Sequence, residues 1–214
     1  MNSDARSFRG SAPAGRRCRL GPLVVLAALT AAFPAPATAQ SPDRATLREI
    51  ERRVDTMAPT SGPPGTKVRV ASGEMPSITP IRVGLGGVRS GFESLISLLT
   101  TMDGEFDVTL ELPRWATWDR VHRFVVFDIY FKPIALSELF HVTNEEGFIH
   151  RRGRVVEASG GCLRLDDVDG VTYALDGATA GLDIGSSIVV EGPVRSGGGC
   201  GIPYTIDVVR TPGG

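Results

Sequence analysis

The sequence predicts an all-β protein: a β-sandwich followed by a small five-stranded barrel, with one short helix ahead of both. Three observations predict it. Glycine and proline are frequent, at 26 and 15 of 214 residues. From Val54 onward apolar residues recur at every second position, the period of a half-buried strand. Pro-Gly, Gly-Gly and Asp-Gly pairs interrupt these runs at turn-like intervals.

The N-terminus comes first. Arg6, Arg9, Arg16, Arg17 and Arg19 precede the apolar run "LGPLVVLAALTAAF", which ends in "PAPATAQ". A basic start, a short apolar stretch and an A-x-A site at Ala37-Thr38-Ala39 form a secretory signal over residues 1–39, cleaved before Gln40. Leu20 to Phe33 is shorter than the roughly 20 apolar residues that span a bilayer, so no stable span is expected after cleavage. The Arg16-Arg17 pair suggests the twin-arginine route, but Arg19 stands where that signal carries an apolar residue, which favours ordinary secretion. The chain has 23 basic and 24 acidic side chains, and five basic residues but one acidic residue leave with the signal. The mature chain therefore carries a net charge of about −5, which argues against broad nucleic-acid affinity.

Export also sets the chemistry of cysteine. Cys18 leaves with the signal and lacks the sequence context of a lipid anchor. Cys162 and Cys200 remain, an even pair in an oxidising compartment, where a disulfide is the default. An intermolecular bridge is the alternative.

Residues 40–53 form the helical segment and linker. In "SPDRATLREIERR", Leu47, Ile50 and Val54 fall at i, i+3 and i+7, and Ser41 or Asp43 can cap the start. Strands follow. "TKVRVAS" places Val68 and Val70 on one face and Lys67 and Arg69 on the other. "EFDVTLELP" alternates Phe106, Val108, Leu110 and Leu112 with polar residues. "VHRFVVFDIYF" is apolar throughout, as a central strand would be. Pro63, Pro64 and Gly65 force a turn ahead of Thr66, because proline fixes φ and glycine accepts φ > 0. Strand pairing over 88–104 is not legible, because "VRSGFESLISLLTTMDG" is long and apolar without clear alternation.

The string "APTSGPPGTKVRV", then "IRVGLGG", "GEFDVTLELPRWA" and a long strand ending in "FHVT", resembles the IPT/TIG domain over residues 54–143. That resemblance implies an immunoglobulin-like sandwich. IPT/TIG domains of some transcription factors contact DNA, but no DNA-reading loop can be matched here.

"NEEGFIHRRGR", residues 144–154, marks the boundary of a second domain over 144–214. Five strands are expected there: 149–158, 162–166, 171–175, 188–195 and 204–209. With the longer connection "DGATAGLDIGS", they suit a small OB-like barrel. "C-x-L-x-x-x-x-G-x-x-Y-x-L" and "G-x-x-I-V-V-E-G" resemble an uncharacterised family of small bacterial β-barrel domains, which implies a fold and no activity.

Candidate sites are few. The acidic turn at Asp167, Asp169 and Gly170 fails as a calcium loop: with Gly170 at position 6, Leu165 falls where the first ligand is needed. A hairpin turn accounts for it. His122, His141 and His150 fall in no catalytic or zinc motif. Glu145-Glu146 and Asp166-Asp167 are neighbours expected to point to opposite faces, which makes neither an acid/base pair. No phosphate loop, nucleophile elbow or H-E-x-x-H occurs. No catalytic residue, metal or cofactor is therefore expected.

Two contact candidates remain. "HRRGR" supplies Arg151, Arg152 and Arg154, a polyanion surface or else a solvated linker and edge strand. "PRWATWDR" supplies Trp115, expected to close the sandwich edge, and Trp118, expected as the exposed contact for a sugar or a partner. The expected protein is a non-catalytic exported binding or scaffolding module of a bacterial cell envelope, whose partner is an unknown protein or an envelope glycan. Carbohydrate recognition or catalysis through Trp118 is the alternative, and polyanion binding by the OB-like half is the third.

Overall fold

The computed structural model describes residues 50, 52–87, 91–158 and 160–212. Ala39–Gly214 forms one compact unit. The expected secretory signal and residues 41–49 and 51 of the expected helix lie outside the described residues. The end of that helix is corrected: Arg52–Arg53 is a strand, β1, paired in parallel with Ala135 and Leu136 of β9, which spans Pro133–Val142. Val54 continues this pairing through its N–H to the Leu136 carbonyl, and Ile50 packs beside Val125, Phe127 and Leu136. A two-turn helical pattern is marginal by itself, and docking on a sheet edge overrides it.

The first half consists of two sheets over a shared core. One contains β1, β9, β8 (Val121–Phe127), β5 (Pro80–Gly87) and β6 (Phe92–Leu99) in that spatial order, with β3 (Ser61–Gly62) beside β9. The other is β2 (Thr56–Ala58), β4 (Lys67–Ser72) and β7 (Phe106–Glu111). Val68, Val70, Phe106 and Leu110 of the smaller sheet meet Ile81, Val83, Leu85, Phe124, Val126 and Phe140 of the larger. The period-two expectations for β4 and β7 hold, since Lys67, Arg69, Asp107 and Glu111 are exposed while the apolar partners turn inward. β8 is central, paired with β5 and β9, and nearly all its residues are buried.

The turn before β4 forms as expected. Gly65 has φ 90°, and the Thr66 hydroxyl donates to the Pro63 carbonyl at 2.6 Å. "VGLGG" has a packing reason as well. A Cβ on Gly86 would lie 2.2 Å from a Phe92 ring carbon, so the bare backbone makes room for that ring. The segment illegible in the sequence contains β6, which lines the sheet edge and pairs antiparallel with β5 across a bulge at Val83/Gly84.

The second half contains six strands: β10 (Ile149–Ala158), β11 (Cys162–Asp167), β12 (Thr172–Gly177), β13 (Ser187–Gly192), β14 (Val194–Ser196) and β15 (Tyr204–Val208). The expected fourth strand divides at Pro193, which has no N–H for a ladder. The order is β13-β10-β11-β12-β15-β14, with β12 and β15 parallel. Because β13 runs directly into β14, and Glu191 and Pro193 also bond with β15 and Arg210, the sheet returns on itself as a ring. Ile149, Leu165, Tyr173, Val190 and Ile206 fill it. Cys162 and Cys200 are joined with Cα atoms 6.2 Å apart, tying the start of β11 to the loop between β14 and β15.

Candidate functional site

The densest group of polar side chains lies where the two halves meet. It is built on β10, whose inward positions are Ile149, Arg151, Gly153 and Val155. Arg151 thus occupies an apolar register and its side chain has no exposed surface. Its guanidinium reaches across the junction: Nη2 donates to the Arg120 carbonyl at 2.8 Å, and Nη1 donates to the Trp118 carbonyl at 3.3 Å and to the His150 carbonyl at 3.2 Å. Nε lies 3.7 Å from the Asp167 carboxylate, which is 1% exposed. That distance exceeds a hydrogen bond, so the pair interacts by charge alone. Asp167 Oδ1 accepts the Asp169 N–H at 3.2 Å, and Asp169 Oδ2 accepts the Val121 N–H at 3.3 Å. The acidic turn is therefore a hairpin that clasps the first half through Asp169.

Aromatic rings complete the junction. His141 stands edge-on to Tyr173 and Tyr204, with centroids 5.8 and 4.8 Å away, and the Trp118 ring lies 5.2 Å from that of His150. Burial pushes His141 down to about 3, and the Arg151 charge adds to that. Burial likewise brings His122 to about 4, against the opposing hydrogen bond of its Nδ1 with the Arg120 carbonyl. Because a carbonyl only accepts, Nδ1 carries the proton. Burial raises Tyr173 to about 12 and also raises the Asp167 carboxyl. Both imidazoles are neutral near pH 7 and sealed from solvent, at 2% exposed each. Arg151, Asp167, His122, His141 and Tyr173 are buried, while Trp118, His150, Asp169 and Tyr204 at the margin of the cluster are partly exposed.

Several expected positions change. Arg151 is not a surface contact, because β10 lies between β11 and β13 and turns that residue inward. The same fact corrects the edge-strand reading of "HRRGR". Arg152 and Arg154 do face outward. Arg154 Nε donates to the Gly185 carbonyl at 3.1 Å. Arg152 borders a cavity of about 710 Å³ beside the 178–189 segment, Thr211 and Pro212. The two tryptophans differ from the expected exposure. Trp118 is half-buried and packs on the core, while Trp115 is 40% exposed beside His122. The loop turns Trp118 into the junction that its own carbonyl helps to form.

The polar joint was missed in the sequence, although β10 carried its signal: the period that buries Ile149, Gly153 and Val155 also buries Arg151. The intramolecular pairing of Cys162 and Cys200 is present as expected. Among the described residues, no group of three His, Cys, Asp or Glu side chains is arranged to hold a metal ion, and no helix is long and apolar enough to cross a membrane. In comparisons with known proteins, no family model matches the chain and no curated protein matches it.

Proposed function

We propose that the chain is a non-catalytic, exported binding or scaffolding protein of the cell envelope, in which an IPT/TIG-like sandwich and an OB-like barrel act as one platform. The observation that carries this reading is the junction. The side chains best suited to acid/base work, His122, His141, Asp167 and Arg151, are buried there, and Arg151 bonds across it to the Trp118 and Arg120 carbonyls. Two facing sheets support the sandwich reading, and a ring with a parallel β12/β15 pair supports the barrel reading. The disulfide supports an oxidising compartment.

The test is photo-crosslinking in cells that export the full chain, with the crosslinker placed in turn at Trp115, Tyr130 and Arg152. Capture of one defined envelope component at one position supports the reading. An unlinked protein that turns over a substrate contradicts it. A glycan-binding version rests on Trp115, the accessible indole: polysaccharide retention should disappear in Trp115→Ala.

A further inference from the structure

Exposed apolar side chains gather at one end of the first half. Ile78, Leu99, Met102, Ile129, Tyr130 and Phe131 are each 48% to 82% exposed. Strand register brings them together: Leu99 pairs with Pro80, Phe127 pairs with both Arg82 and Pro133, and the Ile78 N–H donates to the Thr101 carbonyl. The 77–79, 100–104 and 128–132 turns therefore share one end. The barrel joins at the other, where the first residue of β8, Val121, donates to Asp169.

The 128–132 turn is held in a fixed shape. The Asp128 carboxylate accepts the N–H groups of Tyr130 and Lys132, both at 2.8 Å, and the Phe131 N–H donates to the Asp128 carbonyl at 3.1 Å. Phe131 sits at φ 61°, with the Arg82 guanidinium 4.4 Å from its ring centre and the Phe127 ring 6.4 Å away. A turn that only reversed the chain would need neither this bracing nor three consecutive large apolar residues.

The geometry points to docking of this end, with Tyr130 and Phe131 at its apex, on the lipid surface of the envelope membrane. The tip is built of protruding turns, and a bilayer interface accepts apolar and aromatic tips without a complementary pocket. Arg82, over the Phe131 ring, and Lys132 flank the aromatic turn with positive charge, beside the Asp128 carboxylate, which two backbone N–H groups engage, and an exposed Asp103 in the neighbouring turn. The N-terminal chain also leaves here, because β1 runs parallel to β9 with Arg52 opposite Ala135, and Ile50 rests by Phe127. Sixteen residues, 34–49, separate Ile50 from the apolar run ending at Phe33, a reach of at most about 55 Å. While that run is attached, this is the end of the molecule from which the connecting chain leaves. The inference rests on the exported reading above and names the surface the platform meets.

The test uses the oxidised Gln40–Gly214 unit and flotation with vesicles of phosphatidylethanolamine and phosphatidylglycerol. The wild type should float, and the Tyr130→Ser/Phe131→Ser double variant should lower its partition by about tenfold or more. Met102→Ser should weaken flotation in the same direction and serves as the second variant. Ile184→Ser, an equally exposed apolar position in the barrel, should leave flotation unchanged. Added salt should remove only the share due to Arg82 and Lys132. Failure of the wild type to float overturns the proposal, as does undiminished flotation of the tip variants. Concentration-dependent dimers that vanish in the tip variants, without vesicle binding, would assign the end to a second copy instead. Fractionation of cells making the full chain keeps the two readings apart: retention in the cytoplasm defeats export, whatever the vesicles show.

Discussion

Replacing Arg151 with methionine removes the charge while keeping much of the side-chain volume, and its cost can be worked out contact by contact. The Trp118 carbonyl keeps the His150 N–H at 3.1 Å, and the Arg120 carbonyl keeps His122 Nδ1 at 3.2 Å, so neither acceptor is stranded. The Asp167 carboxylate is different. It is 1% exposed and has lost Arg151, the one cation paired with it among the described residues. Breaking a buried pair from one side costs roughly 3–5 kcal/mol. Asp167→Asn should cost less, because Arg151 retains three carbonyl acceptors and the asparagine oxygen can still accept from Asp169. The double variant, Arg151→Met with Asp167→Asn, should return to within about 2 kcal/mol of wild type. Urea unfolding followed by tryptophan fluorescence measures all three, since Trp118 lies in the junction. A loss below about 1 kcal/mol in Arg151→Met, or a double variant no better than that single one, would refute the reasoning.

Two further outcomes follow from the same features. Cys162 and Cys200 should resist alkylation until reduced; reduction opens a loop of 38-residue separation, lowering stability by about 4 kcal/mol on the chain-entropy model. Labelling of the native protein would contradict the pairing. Acid should unfold the protein through its histidines: His122 and His141 titrate near 4 and 3 when folded but near 6.5 when unfolded, so the unfolded chain takes up protons first. Their stabilisation is complete above about pH 6.5 and declines below it, by on the order of 3 kcal/mol per histidine at pH 4. Asp167, raised by burial, acts in the opposite sense by favouring the folded state once protonated. Stability measured from pH 7 to 4 should still fall, and a flat profile would show that the two rings are not sealed.

Strands were legible in the sequence where one face meets the core and the other meets water. β4, β7 and β10 show that alternation, and the pair Cys162 and Cys200 made its disulfide legible too. β6 was not legible because a bulge breaks its period and both its neighbours and its exposed edge contain apolar residues. The helix expected to end at Arg53 gave way to pairing with β9, a contact with residues more than 80 positions away that no local period announces. The site was harder to read for the same reason. Arg151 reads as solvent-facing when its charge is weighed and as buried when its register is weighed, and register prevails because Trp118 and Arg120 bring carbonyls to meet it. Trp115 and Trp118 share one loop, and Trp118 is the one that meets the second half, with its ring 5.2 Å from that of His150.

The two halves form one mechanical body joined through Arg151. Scanning calorimetry of the oxidised Gln40–Gly214 unit tests this, with the fluorescence of Trp115 and Trp118 and far-ultraviolet circular dichroism followed in parallel. A joined body should melt in a single transition, with the same midpoint by every probe and a calorimetric enthalpy equal to the van't Hoff value. Two resolved transitions, with the tryptophan signal following only one of them, would contradict it.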